Sequence, residues 1–318
     1  MRAYQGAVPG AGVAVLQDGA PIFRRAYGLA NVESQVAATT ATNYRLASLT
    51  KQFTSAAILL LAEEGRLSMD DPVRKWLPTL PDAADEIVIR HLLTHASGLI
   101  DYEDVIPDGT TSPLKDADVL RLLEAENRGY FRPGTGYRYS NSGYSLLALI
   151  VGRASDEDFA SFLRERIFQP LGMQNTVVFE AGVSVVVHRA FGYSASRHSW
   201  TRTDQSLTSA TLGDGGIYSS IDDLAKWDAA LYDDRLLRQA SLRLAFAPAT
   251  QTDDPAVQYG FGWRITGETR WHSGETVGFR NAIVRYPKRR FTVIILTNRD
   301  DPVPYPAALA IAKIFSIG

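Results

Sequence analysis

The rhythm of apolar and polar positions changes twice along this chain. Gly12 to Leu16 and Pro21 to Tyr27 are strand-like runs. They are separated by Gln17-Asp18-Gly19-Ala20, and Asp-Gly between two such runs predicts a tight hairpin. From about Ser48 to Glu64 the period lengthens. Leu49, Phe53, Ala56, Ala57, Leu60 and Leu61 form one broad helical stripe, and Gly65 is placed as its C-terminal cap. Ile89 to Leu93 is helical and stops before Ser97-Gly98. Residues 100–115 are acidic, carry two prolines and read as a long surface loop. Val119 to Ala125, Tyr144 to Ala154, Asp158 to Phe168 and Ile221 to Tyr232 are four further helices, the last with Ser219 or Ser220 as N-cap. Strand character then returns in Phe261 to Ile265, Ala282 to Tyr286 and Phe291 to Thr297. Pro287-Lys288-Arg289-Arg290 turns the last two into a hairpin, and Pro306 to Phe315 closes the chain as a helix.

Strands at both ends and helices between them predict an α+β unit. The two ends share one antiparallel sheet flanked by helices, and a mostly helical region is inserted. The expected organisation is a single catalytic domain over 1–318, with an α/β part at 1–70 and 255–318 and a mostly helical part at 71–254.

Composition narrows the function classes. Of 318 residues, 45% are hydrophobic and 21% charged, as in ordinary globular proteins. A net charge of −2 gives no footprint for nucleic acid or an anionic membrane. The absence of cysteine excludes disulfides, thiolate metal sites and a cysteine nucleophile. No apolar run approaches the roughly 18–20 residues that span a bilayer. The first residues show no signal-peptide pattern, so the expectation is a cytoplasmic protein, or a periplasmic or extracellular one whose export signal has been removed. Oligomeric state is left open.

The chemistry centres on Ser48-Leu49-Thr50-Lys51. Residues three apart share a helix face, so the lysine amine can reach the serine hydroxyl. A serine needs an adjacent base to act as a nucleophile, and lysine can be that base. The spacing alone is weak, because Ser112-Pro113-Leu114-Lys115 repeats it in a polar, loop-like stretch. Two more motifs follow Ser48 in order: Tyr139-Ser140-Asn141 and His272-Ser273-Gly274. His91 and His95 have metal-ligand spacing but lack the glutamate of a metalloprotease helix, which leaves packing and hydrogen bonding as their expected role. No Gly-x-Ser-x-Gly elbow, Walker loop or dinucleotide fingerprint is present, so neither a metal nor a cofactor is expected.

With these three motifs in this order, the chain resembles the penicillin-recognising serine hydrolases. That group includes class C β-lactamases, D-alanyl-D-alanine carboxypeptidases, D-aminopeptidases and β-lactamase-like esterases. The resemblance extends to Tyr44-Arg45-Leu46-Ala47, to Arg90-His91-Leu92-Leu93-Thr94-His95-Ala96-Ser97-Gly98-Leu99, and to Arg132-Pro133-Gly134. Pro170-Leu171-Gly172-Met173, and Gly215-Gly216 with Ser219 and Asp223-Leu224, also match. It implies a β-lactamase/transpeptidase-like fold and catalysis through an acyl-enzyme on Ser48. Lys51 and Tyr139 would share the proton work, and Asn141 would set its amide against the substrate. The backbone amides of Ser48 and Glu275 would form the oxyanion hole, with Gly274 letting substrate backbone approach.

Two departures limit the inheritance. His272 stands where classical members carry lysine, and a neutral imidazole binds a carboxylate less well than a permanent cation. Arg280 would compensate if it faced the pocket. The chain also begins almost at its first strand, where relatives usually have a helix packed on the sheet, which suggests trimming or a compact variant. The expected function is hydrolysis of small esters, amides or D-amino-acid peptides. The acidic run Asp101-Tyr102-Glu103-Asp104 is placed to rim the pocket and would favour a substrate with a free amine. A true β-lactamase, or a non-catalytic ligand sensor on the same fold, are the alternatives. Intact Ser48, Lys51 and Tyr139 argue against the sensor.

Overall fold

A computed structural model describes residues 1–197 and 199–315. Its frame is an eight-stranded antiparallel sheet built from both ends of the chain. The order across it is Thr250–Gln251, Gln258–Tyr259, Arg264–Thr266, Thr269–Thr276, Phe279–Tyr286, Phe291–Thr297, Ala11–Gln17 and Ala20–Tyr27. The N-terminal hairpin thus sits at one edge, and Ala11–Gln17 pairs directly with Phe291–Thr297. Asp18 and Gly19 both have positive φ, 54° and 76°, as the tight hairpin predicted from Asp-Gly requires.

One face of the sheet carries the helix Pro304–Ile314, which begins two residues earlier than its sequence suggests. This face forms a small apolar layer of Val13, Val15, Val284, Val293 and Ile295 against Ala308 and Ala312. The other face packs on the helices Lys51–Glu63 and Ile221–Ala230 and on the rest of the helical region, through one continuous core. Ser220 caps the second of these helices by accepting the Asp223 N–H.

The boundaries that moved are informative. Ala47–Thr50 is a 3₁₀ turn, and the α-helix proper starts at Lys51. The helix expected from Tyr144 starts at Asn141, because the Ser140 hydroxyl accepts the Gly143 N–H as N-cap. The helix expected over Asp158 to Phe168 is α only over Phe159–Leu163 and then widens to a π turn. The acidic segment 100–115 has no long element, but it is bolted down. Tyr102 is fully buried in a 3₁₀ turn over Tyr102–Val105. Its N–H donates to Ser142 Oγ at 2.7 Å, and the Asp101 N–H donates to Tyr130 Oη at 3.0 Å. Among the described residues no helix is long and apolar enough to cross a membrane.

Candidate active site

Ser48 lies where the helical region meets the sheet. The preceding residue, Ala47, has φ +50°, a left-handed conformation that costs a non-glycine residue about 1–2 kcal/mol. Surrounding contacts hold it there. The Leu46 N–H donates to the Ile217 carbonyl at 2.8 Å, and Asn281 Nδ2 donates to the Arg45 carbonyl at 2.8 Å. Gly274 closes over the same point, because a methyl group there would overlap the Leu46 carbonyl oxygen. Strain of this kind clusters at functional sites, which marks Ser48 as a candidate. Ser48 is also the second residue of its turn, so its own N–H has no partner within the turn and is free to face a ligand.

Lys51 has no exposed surface. Its Nζ makes three hydrogen bonds, to Ser48 Oγ at 3.2 Å, Asn141 Oδ1 at 2.8 Å and the Asp214 carbonyl at 3.1 Å. Asn141 continues the chain outward, its Nδ2 donating to Glu103 Oε1 at 2.8 Å. Asn141 is fixed at the start of its helix because Asp101 Oδ2 accepts its N–H at 2.9 Å. Ser48, Lys51, Asn141 and Glu103 are therefore one connected network. Burial pushes the Glu103 carboxyl up, against a lowering by the Asn141 hydrogen bond.

The network opens into a polar cavity of about 270 Å³, lined among others by Arg45, Ser48, Glu103, Asn141, Asp214 and Glu275. A second cavity of about 340 Å³ shares Glu103 and Asn141 and is also lined by Asp101, Asp104, Tyr139 and Asp253. The acidic run of residues 101–104 thus does rim the site. The strand Thr269–Thr276 has a neighbour on both sides only as far as Trp271; beyond it one edge is open. Alternate backbone amides from His272 to Thr276 can therefore turn toward the cavity, where Glu275 lies.

Two predicted residues sit differently from expectation. Tyr139 presents its ring, not its hydroxyl, to Lys51, with Nζ 4.9 Å from the ring centre. His272 lies behind the cavity rather than on its wall, 1% exposed. Its Nδ1 meets the Ser273 carbonyl at 2.6 Å and must donate; its Nε2 then accepts from Tyr259 Oη at 2.9 Å. Burial first, then the Arg264 charge, holds the imidazole well below its usual range, so it is neutral. It cannot anchor a substrate carboxylate. Nor does Arg280 replace it. Arg280 Nη1 donates to the Thr276 and Phe279 carbonyls, and the side chain lies near Glu275 and Asp300. In the histidine pair, His95 Nδ1 accepts the Ser140 N–H at 3.1 Å and His91 Nδ1 accepts the Val88 N–H at 3.3 Å.

Glu103 was foreseen only as rim, and Asp214 and Tyr259 were missed. Nothing marks Asp214 in the sequence except its place one residue before Gly215-Gly216. Its importance comes from a carbonyl that happens to face Lys51.

The family model described as Beta-lactamase matches residues 1–315 of the chain. The chain belongs to the β-lactamase family. It is a serine hydrolase of that family. A penicillin-binding protein of Bacillus subtilis (strain 168) is 34% identical over 93% of the chain, which spans 70% of that protein. A D-aminopeptidase of Gluconobacter oxydans (strain 621H) is 29% identical over 97% of the chain, which spans only 59% of that protein's length. The structure of an octameric penicillin-binding protein homologue from Pyrococcus abyssi superposes with a TM-score of 0.86 at 27% identity, covering 97% of this chain and 74% of that one. The large antiparallel sheet with flanking helices is thus the β-lactamase/transpeptidase-like fold.

Proposed function

We propose that this family member hydrolyses small amides or peptides bearing a free amine, through an acyl-enzyme on Ser48. The observation that carries the reading is Glu103. Its carboxylate stands in the same cavity as the nucleophile and is tied through Asn141 to Lys51. An ammonium bound there would place the neighbouring acyl carbon near Ser48. The likeness to a D-aminopeptidase supports the choice, and with it a D-configured acyl residue.

The steps follow from the hydrogen bonds. Asn141 Oδ1 and the Asp214 carbonyl can only accept, so they occupy two N–H groups of Lys51. The third position of Nζ faces Ser48 Oγ and is the one through which a proton can pass. Oγ attacks the acyl carbon, its proton moves to Nζ, and the carbonyl oxygen becomes an oxyanion. The amides of Ser48 and Glu275 would hold that oxyanion, each donor contributing about 3–4 kcal/mol when water is excluded. The C–N bond breaks as the leaving amine takes the proton. Water repeats the sequence on the ester and returns Ser48. Tyr139 would assist a proton transfer only if its hydroxyl turned toward Lys51, whose Nζ lies 4.9 Å from the ring centre.

The inward-facing His272 weighs against a β-lactamase, because the drug carboxylate finds no anchor at that position. Penicillins should acylate Ser48 slowly and turn over poorly.

The test uses D-alanine p-nitroanilide and its N-acetyl derivative. The free amine should be cleaved at least about tenfold faster, the worth of one charge-assisted contact. Ser48→Ala should abolish cleavage, and Ser112→Ala should leave it unchanged. Equal rates on the two substrates would overturn the amine reading. Cleavage surviving in Ser48→Ala would overturn the nucleophile.

A further inference from the structure

The walls of the two cavities around Asn141 are far more acidic than the protein as a whole. Asp101, Glu103, Asp104, Asp214, Asp253 and Glu275 line them, against the guanidinium groups of Arg45 and Arg138. The whole chain carries a net charge of only −2. Both arginines already hold protein partners, although Arg45 Nε has none. Arg45 donates to Gln205 Oε1 and the Ser209 carbonyl, and Arg138 is paired with Asp104.

Asp214 is the residue that sets this cavity apart. It is 7% exposed and lines the cavity of Ser48, yet its Oδ1 has no hydrogen-bond partner. Lys51 does not neutralise it by contact, because Nζ takes the backbone carbonyl of Asp214 and not its carboxylate. A buried carboxylate oxygen without a donor is costly, and a cation brought beside it would relieve that cost. Burial indeed raises the Asp214 carboxyl above its ordinary range, with Lys51, the Thr211 hydroxyl and Arg45 opposing.

The cavity is also small, about 270 Å³ against the ~300–1,000 Å³ of sites for drug-sized ligands. Ala47 and Val277 are among its few apolar wall residues. It therefore suits one narrow residue with a polar end rather than an aromatic or wholly apolar one.

We propose that the residue bound between Glu103 and Asp214 carries a second cation, so that the preferred substrates are amides of a basic amino acid such as ornithine or lysine. This rests on the free-amine reading above. Glu103 takes the α-ammonium, and Asp214 takes the side-chain ammonium. The remaining carboxylates at the mouth steer the doubly charged substrate inward, an effect that falls with added salt.

The p-nitroanilides of D-lysine and D-norleucine test this, since they share a four-carbon side chain and differ in its terminal charge. In the wild type, kcat/KM should favour D-lysine by about tenfold or more. The ratio should shrink at high salt and fall to roughly threefold or less in Asp214→Asn, once the charge-assisted contact is gone. Comparing two substrates within one variant cancels any general damage. A second measurement needs only the wild type: 1,5-diaminopentane should inhibit ester hydrolysis at a lower concentration than 1-aminopentane. Equal rates on the two anilides, both faster than their N-acetyl forms, would overturn the second cation and leave the amine reading standing. Indifference to N-acetylation would remove both. A lysine preference that survives Asp214→Asn would overturn the assignment to Asp214.

Discussion

Lys51 and Arg285 are both fully buried basic side chains, and the protein holds them in opposite ways. Arg285 lies between the sheet and the helix Ile221–Ala230, with Nε donating to Asp228 Oδ1 at 2.5 Å. Thr292 Oγ1 donates to the same oxygen at 2.8 Å. That charge is matched by an opposite one, and a guanidinium does not give up its proton in any case. Lys51, across the core, has only neutral oxygens within hydrogen-bond reach. Dipoles orient its amine without pinning the proton. The difference separates a charge that joins two elements from an amine that can take part in chemistry.

The comparison can be broken most severely at Lys51. Lys51→Met should lower turnover by about 10³-fold or more, at the upper part of the range for a positioned acid–base group. Stability should hold or rise, because replacing a buried ionisable group with an apolar side chain of similar volume is usually neutral or better. Thermal unfolding beside kinetics checks both halves, and a fall in Tm equal to that of an arginine variant would erase the contrast.

Arg285→Met should do the reverse. It leaves Asp228 buried without its partner, at a cost of about 3–5 kcal/mol. Tm should fall by roughly 10 °C. The rate per folded molecule, measured well below that Tm, should stay at the wild-type value.

A subtler change makes one site imitate the other. Asn141→Asp places a carboxylate where Oδ1 meets Lys51 at 2.8 Å. The proton on the amine should then be held more tightly. The acid limb of the pH–rate profile should move up by about 1–3 units, as for an opposite charge at contact. An unmoved limb would mean that the neutrality of the Lys51 partners is immaterial.

The smallest effect concerns Asp116, which accepts the Leu212 N–H at 3.0 Å behind the loop that carries Asp214. Burial, with Asp214 nearby, pushes its carboxyl from 3.8 up to about 7. The folded protein therefore holds this proton more tightly than the unfolded chain. Its contribution to stability is complete below about pH 3.8 and is lost as pH rises through about 7. Asp116→Asn should flatten that part of the stability profile between about pH 4 and pH 7, as read by urea denaturation at each pH. An unchanged slope would show that Asp116 does not titrate there.

Much of the frame was legible because local signals agreed with the fold. Asp18-Gly19 specified a turn that only two positive-φ residues can make, and the Leu49 to Leu61 stripe specified a buried helix. Ser48, Lys51 and Asn141 were legible because order and spacing of short motifs survive without knowledge of contacts. Where Asn141 stands in its helix was less so. The apolar pattern begins at Tyr144, whereas the helix begins where Ser140 finds an N–H to cap. Residues 100–115 read as a solvated loop because polar composition hides anchoring. Tyr102, fully buried within it, is what places Glu103 against Asn141.

The sequence by itself determined the family and the antiparallel sheet shared by the two ends, and it singled out Ser48 as the proposed nucleophile. Each depends on residue types at fixed separations along the chain. The tertiary structure alone decided which groups face Ser48. His272 belongs to the third motif, yet its imidazole turns inward to Tyr259 and leaves the cavity wall. Asp214 belongs to no motif, yet its carbonyl fixes Lys51 and its carboxylate lines the site. A spacing rule states which residues are near in the chain. Only packing of the sheet against the helical region sets which way a side chain points and which charges lose their water.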